Sequence, residues 1–205
     1  MTATRQLDVS SLPRFDISSR DPLFFGQLLL CAIEGSMFCM LMAIYFYLRL
    51  SVDVWPPPGT QLPHLTAPSL ALIPLILSAG GSWWASEGAK KNDRRAMLIG
   101  LLVNLILAFG FLALRFREIA TLNFNWDTDA HGTVVWSILF LHTLDVIADL
   151  LMTVVLICAI AVNRSGPKQR IGVHVDSVVW YFLVAIWIPL YLVIYWGPHF
   201  VGAPQ

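Results

Sequence analysis

Apolar residues along this chain gather in five long blocks separated by short polar stretches. The blocks run from about Leu23 to Leu48, Ala67 to Ser86, Ala96 to Phe116, Thr133 to Val162 and Val175 to Trp196. Crossing about 30 Å of hydrocarbon takes roughly 20 residues at ~1.5 Å rise each, so every block is long enough to span a bilayer as one helix. Leu98 to Leu107 and Leu150 to Ala161 are apolar on nearly every side, which excludes the alternating short segments of a membrane barrel. The pattern predicts an all-α integral membrane bundle of five transmembrane helices.

The breaks between blocks have their own chemistry. Arg49 sits where a long basic side chain can reach the interface, and Trp55-Pro56-Pro57-Pro58-Gly59 forces an extended turn because proline fixes φ and withholds a donor. Pro189 marks a kink in the fifth block, and Trp180, Tyr181, Tyr195 and Trp196 form aromatic belts near its ends. Residues 1–22, with Arg5, Arg14 and Arg20 balanced by Asp8, Asp16 and Asp21, lack the apolar centre of a signal peptide and read as a soluble lead-in. Residues 23–198 then form one five-helix transmembrane domain, and 199–205 a short external tail. Of the Lys and Arg residues, all but Arg49, Arg115 and Arg117 fall on the side of the lead-in. The positive-inside bias therefore places the N-terminus in the cytoplasm and the C-terminus outside.

Composition narrows the function classes. At 57% apolar and 13% charged, with mean hydropathy +0.69, the chain has no polar surface for a soluble enzyme. Its 13 basic residues are matched by 13 acidic ones, so no basic field for nucleic acid exists. Cys31, Cys39 and Cys158 lie inside apolar blocks without Cys-x-x-Cys spacing and read as packing residues.

Ionisable side chains inside the blocks are few, and each must face protein, headgroup or water because hydrocarbon offers it no partner. Glu34 lies halfway along the first block. On the fourth, His142, Asp145 and Asp149 fall within an arc of about 60° at helical spacing. His174 and Asp176 open the fifth block, and Glu118 closes the third. The plain alternative for His142 and Asp145 is an i,i+3 pair that neutralises itself against another helix. The functional alternative is a polar seam for a proton, ion or lipid headgroup. A di-iron bundle would need paired Glu-x-x-His motifs that the blocks do not hold. A Ser-His-Asp hydrolase would need a strand-turn-helix nucleophile setting that is absent.

These residues fall in an order that resembles subunit III of the haem-copper terminal oxidases in its short, five-helix bacterial form. The resemblance rests on Ile33-Glu34-Gly35-Ser36-Met37-Phe38, the Trp55-Pro56-Pro57 loop, Ser82-Trp83-Trp84 followed by Arg95-Ala96-Met97, Glu118, and His174 with Trp180 ahead of Tyr195-Trp196-Gly197. Two positions depart from the family pattern. His142-Thr143-Leu144-Asp145 carries an acid where the family has a second histidine, and Ser177 holds the place of the family's aspartate, with Asp176 displaced by one residue. These departures suggest a divergent branch.

The resemblance implies a non-catalytic subunit of a proton-pumping oxidase that reduces O₂, in a bacterial cytoplasmic (inner) membrane. It implies that the chain binds no cofactor itself, with haem and copper held in partner subunits. Packing on oxidase subunit I, structural phospholipid near Glu34, and support of proton uptake and enzyme longevity are also implied. The Trp-Pro-Pro loop favours cytochrome c over quinol as donor. Two rival readings are an accessory subunit of a nitric-oxide reductase or respiratory supercomplex, and a small proton-coupled transporter using Glu34, His142 and Asp149.

Overall fold

The computed structural model describes residues 22–55, 57, 64–162 and 166–200. The lead-in 1–21, most of the Trp-Pro-Pro loop and the tail 201–205 lie outside the described residues. Five long helices follow one another: α1 (Pro22–Leu50), α2 (Thr66–Lys90), α3 (Arg94–Ala120), α4 (Ala130–Ala161) and α5 (Pro167–Tyr191). The last continues through a π-helical turn (Leu192–Trp196) into the short α6 (Gly197–Phe200). All five long helices are apolar enough to cross a membrane, and no strand occurs among the described residues.

Helix ends extend past the apolar blocks because local caps carry them into the polar turns. The Asp93 carboxylate accepts from the backbone N–H groups of Arg95 and Ala96 at 2.9 and 3.2 Å, starting α3 inside the charged turn. Asp129 does the same for α4 through Gly132 N–H at 2.6 Å. At the other end of α4, the Arg94 guanidinium donates to the carbonyls of Ile160 and Ala161 at 3.1 and 2.9 Å. A cation there meets both the unsatisfied carbonyls and the negative end of the helix dipole.

Successive helices alternate in direction. Phe24, Ser86, Arg94, Ile160 and His174 gather at one end, while Tyr45, Ser69, Glu118, His131 and Tyr191 gather at the other. The tightest pair is α2 with α3, and glycine sets their separation. A Cβ on Gly81 would lie 2.7 Å from the Asn104 backbone N, and one on Gly100 would collide with the backbone of Ala85. Small residues at such a crossing let dispersion and backbone contact hold helices where lipid is as apolar as leucine.

By contrast α1 is a peripheral helix that packs chiefly on α4 and α5. Its buried residues are Cys31, Phe38 and Tyr45. That spacing of seven gives a single narrow seam, and the rest of the helix surface is left for lipid or partner. Phe25, Leu29, Ile33 and Met40 all point outward.

Gly100→Val should lower the yield of monodisperse protein in mild detergent several-fold, since backbone rather than a flexible side chain must give way. Gly110→Ala, whose Cβ would meet only Pro74 Cβ at 4.0 Å, should leave the yield at the wild-type level. Size-exclusion chromatography of the two variants beside wild type checks both outcomes.

Candidate functional site: an acidic groove and a buried ion pair

Three helices surround a groove of about 380 Å³. From α1 come Leu23, Gln27 and Glu34; from α4 Asp145, Ala148, Asp149 and Met152; from α5 Gly172, Val175, Asp176, Val179 and Leu183. Within α4 and α5 these positions recur at intervals of three and four, so each helix contributes one stripe. The groove exists because α1 buries few of its residues, Cys31, Phe38 and Tyr45, against its neighbours, leaving the adjoining face unfilled.

Four carboxyls converge on this space. Asp176 is buried and accepts from the Thr153 hydroxyl, with 3.1 and 3.3 Å to its two oxygens; the same hydroxyl lies 3.1 Å from the Asp149 carbonyl. Asp149 is only 7% exposed and its Oδ2 has no hydrogen-bond partner. Asp145 and Glu34 are half-buried, and Asp145 Oδ2 is also unpartnered. Asp149 lies within electrostatic reach of Asp176 and Glu34, and Glu34 within reach of Asp145. Among the described residues, no group of three or more His, Cys, Asp and Glu is arranged to hold a metal ion.

His142, one turn before Asp145, does not join them. It is fully buried, with its ring 4.5 Å from that of Trp187 and edge-on to Phe38 and Phe111. Its Nε2 lies 3.2 Å from the Leu183 carbonyl, which can only accept, so Nε2 carries the proton. The stripe expected from helical spacing therefore divides at the rim. Its acids line the groove, and its histidine enters an aromatic core.

His174 and Asp176 also face different ways. The His174 ring stacks on Phe24 at 5.8 Å, and its Nδ1 lies 2.9 Å from Ser86 Oγ, joining the starts of α1 and α5 to the end of α2. Ser177, one position past Asp176, turns to α2 and donates to the Ser82 carbonyl at 3.1 Å. Trp180 Nε1 donates to Ser78 Oγ at 2.8 Å on the same face.

Glu118 belongs to a second site at the opposite end. Arg115 Nη1 donates to both its oxygens, at 2.9 and 3.1 Å, and the Tyr195 hydroxyl donates to Oε1. The guanidinium lies 3.7 Å from the Trp187 ring centroid and 5.0 Å from that of Phe111. Arg115 is fully buried, whereas the sequence reading puts it at the exit of the third span beside Arg117. The signal for burial is the stripe Leu101, Asn104, Ala108, Phe111, Leu112, which Arg115 and Glu118 continue at the same spacing. Sequence pattern alone gives no signal for Tyr195 as an ion-pair partner, Thr153 as the companion of Asp176, or His131, which sits among the rings of Tyr45, Trp55 and Phe124.

Breaking a buried pair costs more than replacing both members, because one charge is then left without a partner; the single loss is about 3–5 kcal/mol. Glu118→Met should therefore destabilise the detergent-solubilised protein strongly, and Arg115→Met with Glu118→Met should recover a large part of that loss. Residual folded fraction after stepwise heating, compared across the double-mutant cycle, checks the sign of the coupling.

A family model described as Cytochrome c oxidase subunit III matches residues 13–198. The chain is 27% identical to cytochrome c oxidase subunit 3 of Thermostichus vulcanus, over 83% of this chain and 85% of that one. It is 25% identical to the protein of the same description from Yarrowia lipolytica, over 70% of this chain and 54% of the relative. The corresponding Vanderwaltozyma polyspora protein is 26% identical, over 86% of this chain and 68% of its own length. A five-helix membrane bundle with these motifs in this order, matched over nearly its whole length, belongs to the cytochrome c oxidase subunit III family.

Proposed function

We propose that this chain is a non-catalytic subunit of a proton-pumping cytochrome c oxidase, packed on subunit I, and that it works through the groove between α1, α4 and α5. The observation that carries this reading is a 380 Å³ space at the edge of the bundle, lined by Glu34, Asp145, Asp149 and Asp176 together with apolar side chains such as Met152 and Val179. A membrane cavity of that composition suits a phospholipid, with apolar walls for an acyl chain and polar groups for a headgroup. The lipid fills the gap left by the narrow α1 seam and fixes α1 against α4 and α5. Carboxyls beside it hold protons close to the partner that carries the haems and copper.

The positive-inside bias supports a cytoplasmic N-terminus, with Phe24, His174 and the Glu87–Lys90 turn at that face. In that orientation the mouth of the groove opens on the side from which protons are drawn. A bacterial cytoplasmic membrane is the location this reading proposes. Haem and copper reside in partner subunits on this reading, and the chain contributes lipid, packing and proton supply.

The test is how long the enzyme works. Glu34→Gln keeps the shape of the groove and removes a titratable group. In the purified oxidase, the number of turnovers completed before inactivation, normalised to the initial O₂ consumption rate, should fall at least three-fold relative to wild type. An unchanged number of turnovers would remove Glu34 and its groove from this role.

A further inference from the structure

Arg115 spends one corner of its guanidinium on Glu118. Nη1 donates to both carboxylate oxygens. Nε and Nη2, whose N–H groups run parallel along another edge, meet no hydrogen-bond partner among the described residues. His142 Nδ1 and Trp187 Nε1 are unpartnered too. All three side chains are almost completely buried, so neither bulk water nor a headgroup reaches these atoms. Buried polar groups left in this way are costly, and native folds satisfy nearly all of them.

The three side chains come from α3, α4 and α5 and pack on one another. The guanidinium carbon lies 3.7 Å from the Trp187 ring centroid, and the His142 ring lies 4.5 Å from the same indole. Phe111 flanks both, at 5.0 Å from the guanidinium and 6.1 Å from the imidazole. Arg115 is also within electrostatic reach of His142.

Their chemistry selects what can sit among them. Arg115 and Trp187 offer donors alone. His142 Nδ1 offers a lone pair, because Nε2 carries the proton toward the Leu183 carbonyl. An anion would suit the N–H groups but would set its charge against that lone pair and the nearby Glu118 carboxylate. A cation would suit the lone pair and be repelled by the guanidinium. Water accepts from the donors and donates to Nδ1. A buried water typically makes about three hydrogen bonds, and Arg115, Trp187 and His142 supply that number.

Water-sized space also reaches the ion pair from its other side. Glu118 and Tyr195 line a recess of about 20 Å³ together with Thr121 and Asn123 of the polar turn after α3. That is room for one water against the carboxylate on which the guanidinium rests.

We propose that the bundle core contains a structural water site, in which one water accepts from the Nε–Nη2 edge of Arg115 and from Trp187 Nε1 and donates to His142 Nδ1. The site closes a single hydrogen-bonded network from Glu118 on α3, through His142 on α4, to the Leu183 carbonyl on α5. It lies apart from the groove and does not depend on what fills it.

The complex purified through a tag on this chain, imaged by electron cryomicroscopy at a resolution where ordered water is visible, tests the site. Wild type should show a discrete peak within hydrogen-bond distance of both the Arg115 edge and His142 Nδ1. His142→Phe keeps a ring against Trp187 and Phe111 but removes the acceptor, and should lose the peak while the Arg115–Glu118 pair remains. If that variant does not assemble, the wild-type map decides. A direct Arg115–His142 hydrogen bond, no density among the three side chains, or a peak undiminished in His142→Phe would overturn the proposal. So would density that strengthens when bromide replaces chloride, the mark of an anion.

Discussion

Hydrocarbon supplies no hydrogen-bond partner and no counter-charge, so a chain that lives almost wholly in the bilayer must arrange its helices around its few polar side chains. Two solutions to this constraint appear in one bundle. At one end, Glu118 draws in Arg115 and Tyr195, and Trp187 covers the guanidinium. The Trp187 ring then meets His142, whose Nε2–H is taken by the Leu183 carbonyl. This cluster ties α3, α4 and α5 together with complementary charge and aromatic surface. Towards the other end, the tight α2 and α3 crossing is made by absence of side chain, at Gly81 and Gly100.

The groove is the other solution, and it is left incomplete within the chain. Among the described residues, the partner these acids find is the Thr153 hydroxyl, which donates to Asp176. What distinguishes the two sites is the helix that borders them. The α2 and α3 crossing admits backbone contact, whereas α1 buries fully only one residue per two turns and so leaves a polar wall facing a gap. On the proposed function, that looseness is what admits a lipid. The same looseness leaves most of α1 bare, with large apolar residues such as Ile33 and Met40 directed away from the bundle.

Much of this is legible in the sequence. Five apolar blocks of spanning length specify five helices because a backbone in hydrocarbon has no other way to satisfy its own polar groups. Glu34, Asp145 and Asp149 were legible as groups needing company for the same reason. Helix ends were not, since Asp93, Asp129 and Arg94 extend the helices by capping interactions that hydropathy does not register. The division of the fourth helix's stripe was also hidden: an arc of about 60° is wide enough to straddle the rim between groove and core, and only packing decides which side each residue takes. Arg115 was misplaced because an arginine at the end of an apolar block has two solutions, reaching water or finding an acid inside. The Arg-x-x-Glu spacing on the buried stripe of α3 was the clue to the second. The family motifs were legible as an ordered set, although the placement of Ser177 against α2 and Asp176 in the groove needed the packed helices.

The central claim is that this bundle acts as one subunit of a redox complex whose metal centres lie elsewhere. The most direct measurement is purification through a tag on this chain, in mild detergent from its native membrane, with the optical spectrum and metal content taken on the eluted peak. The account predicts a large assembly in which the chain is stoichiometric with a haem-bearing, copper-bearing partner. Elution as a homo-oligomer free of haem proteins would contradict it.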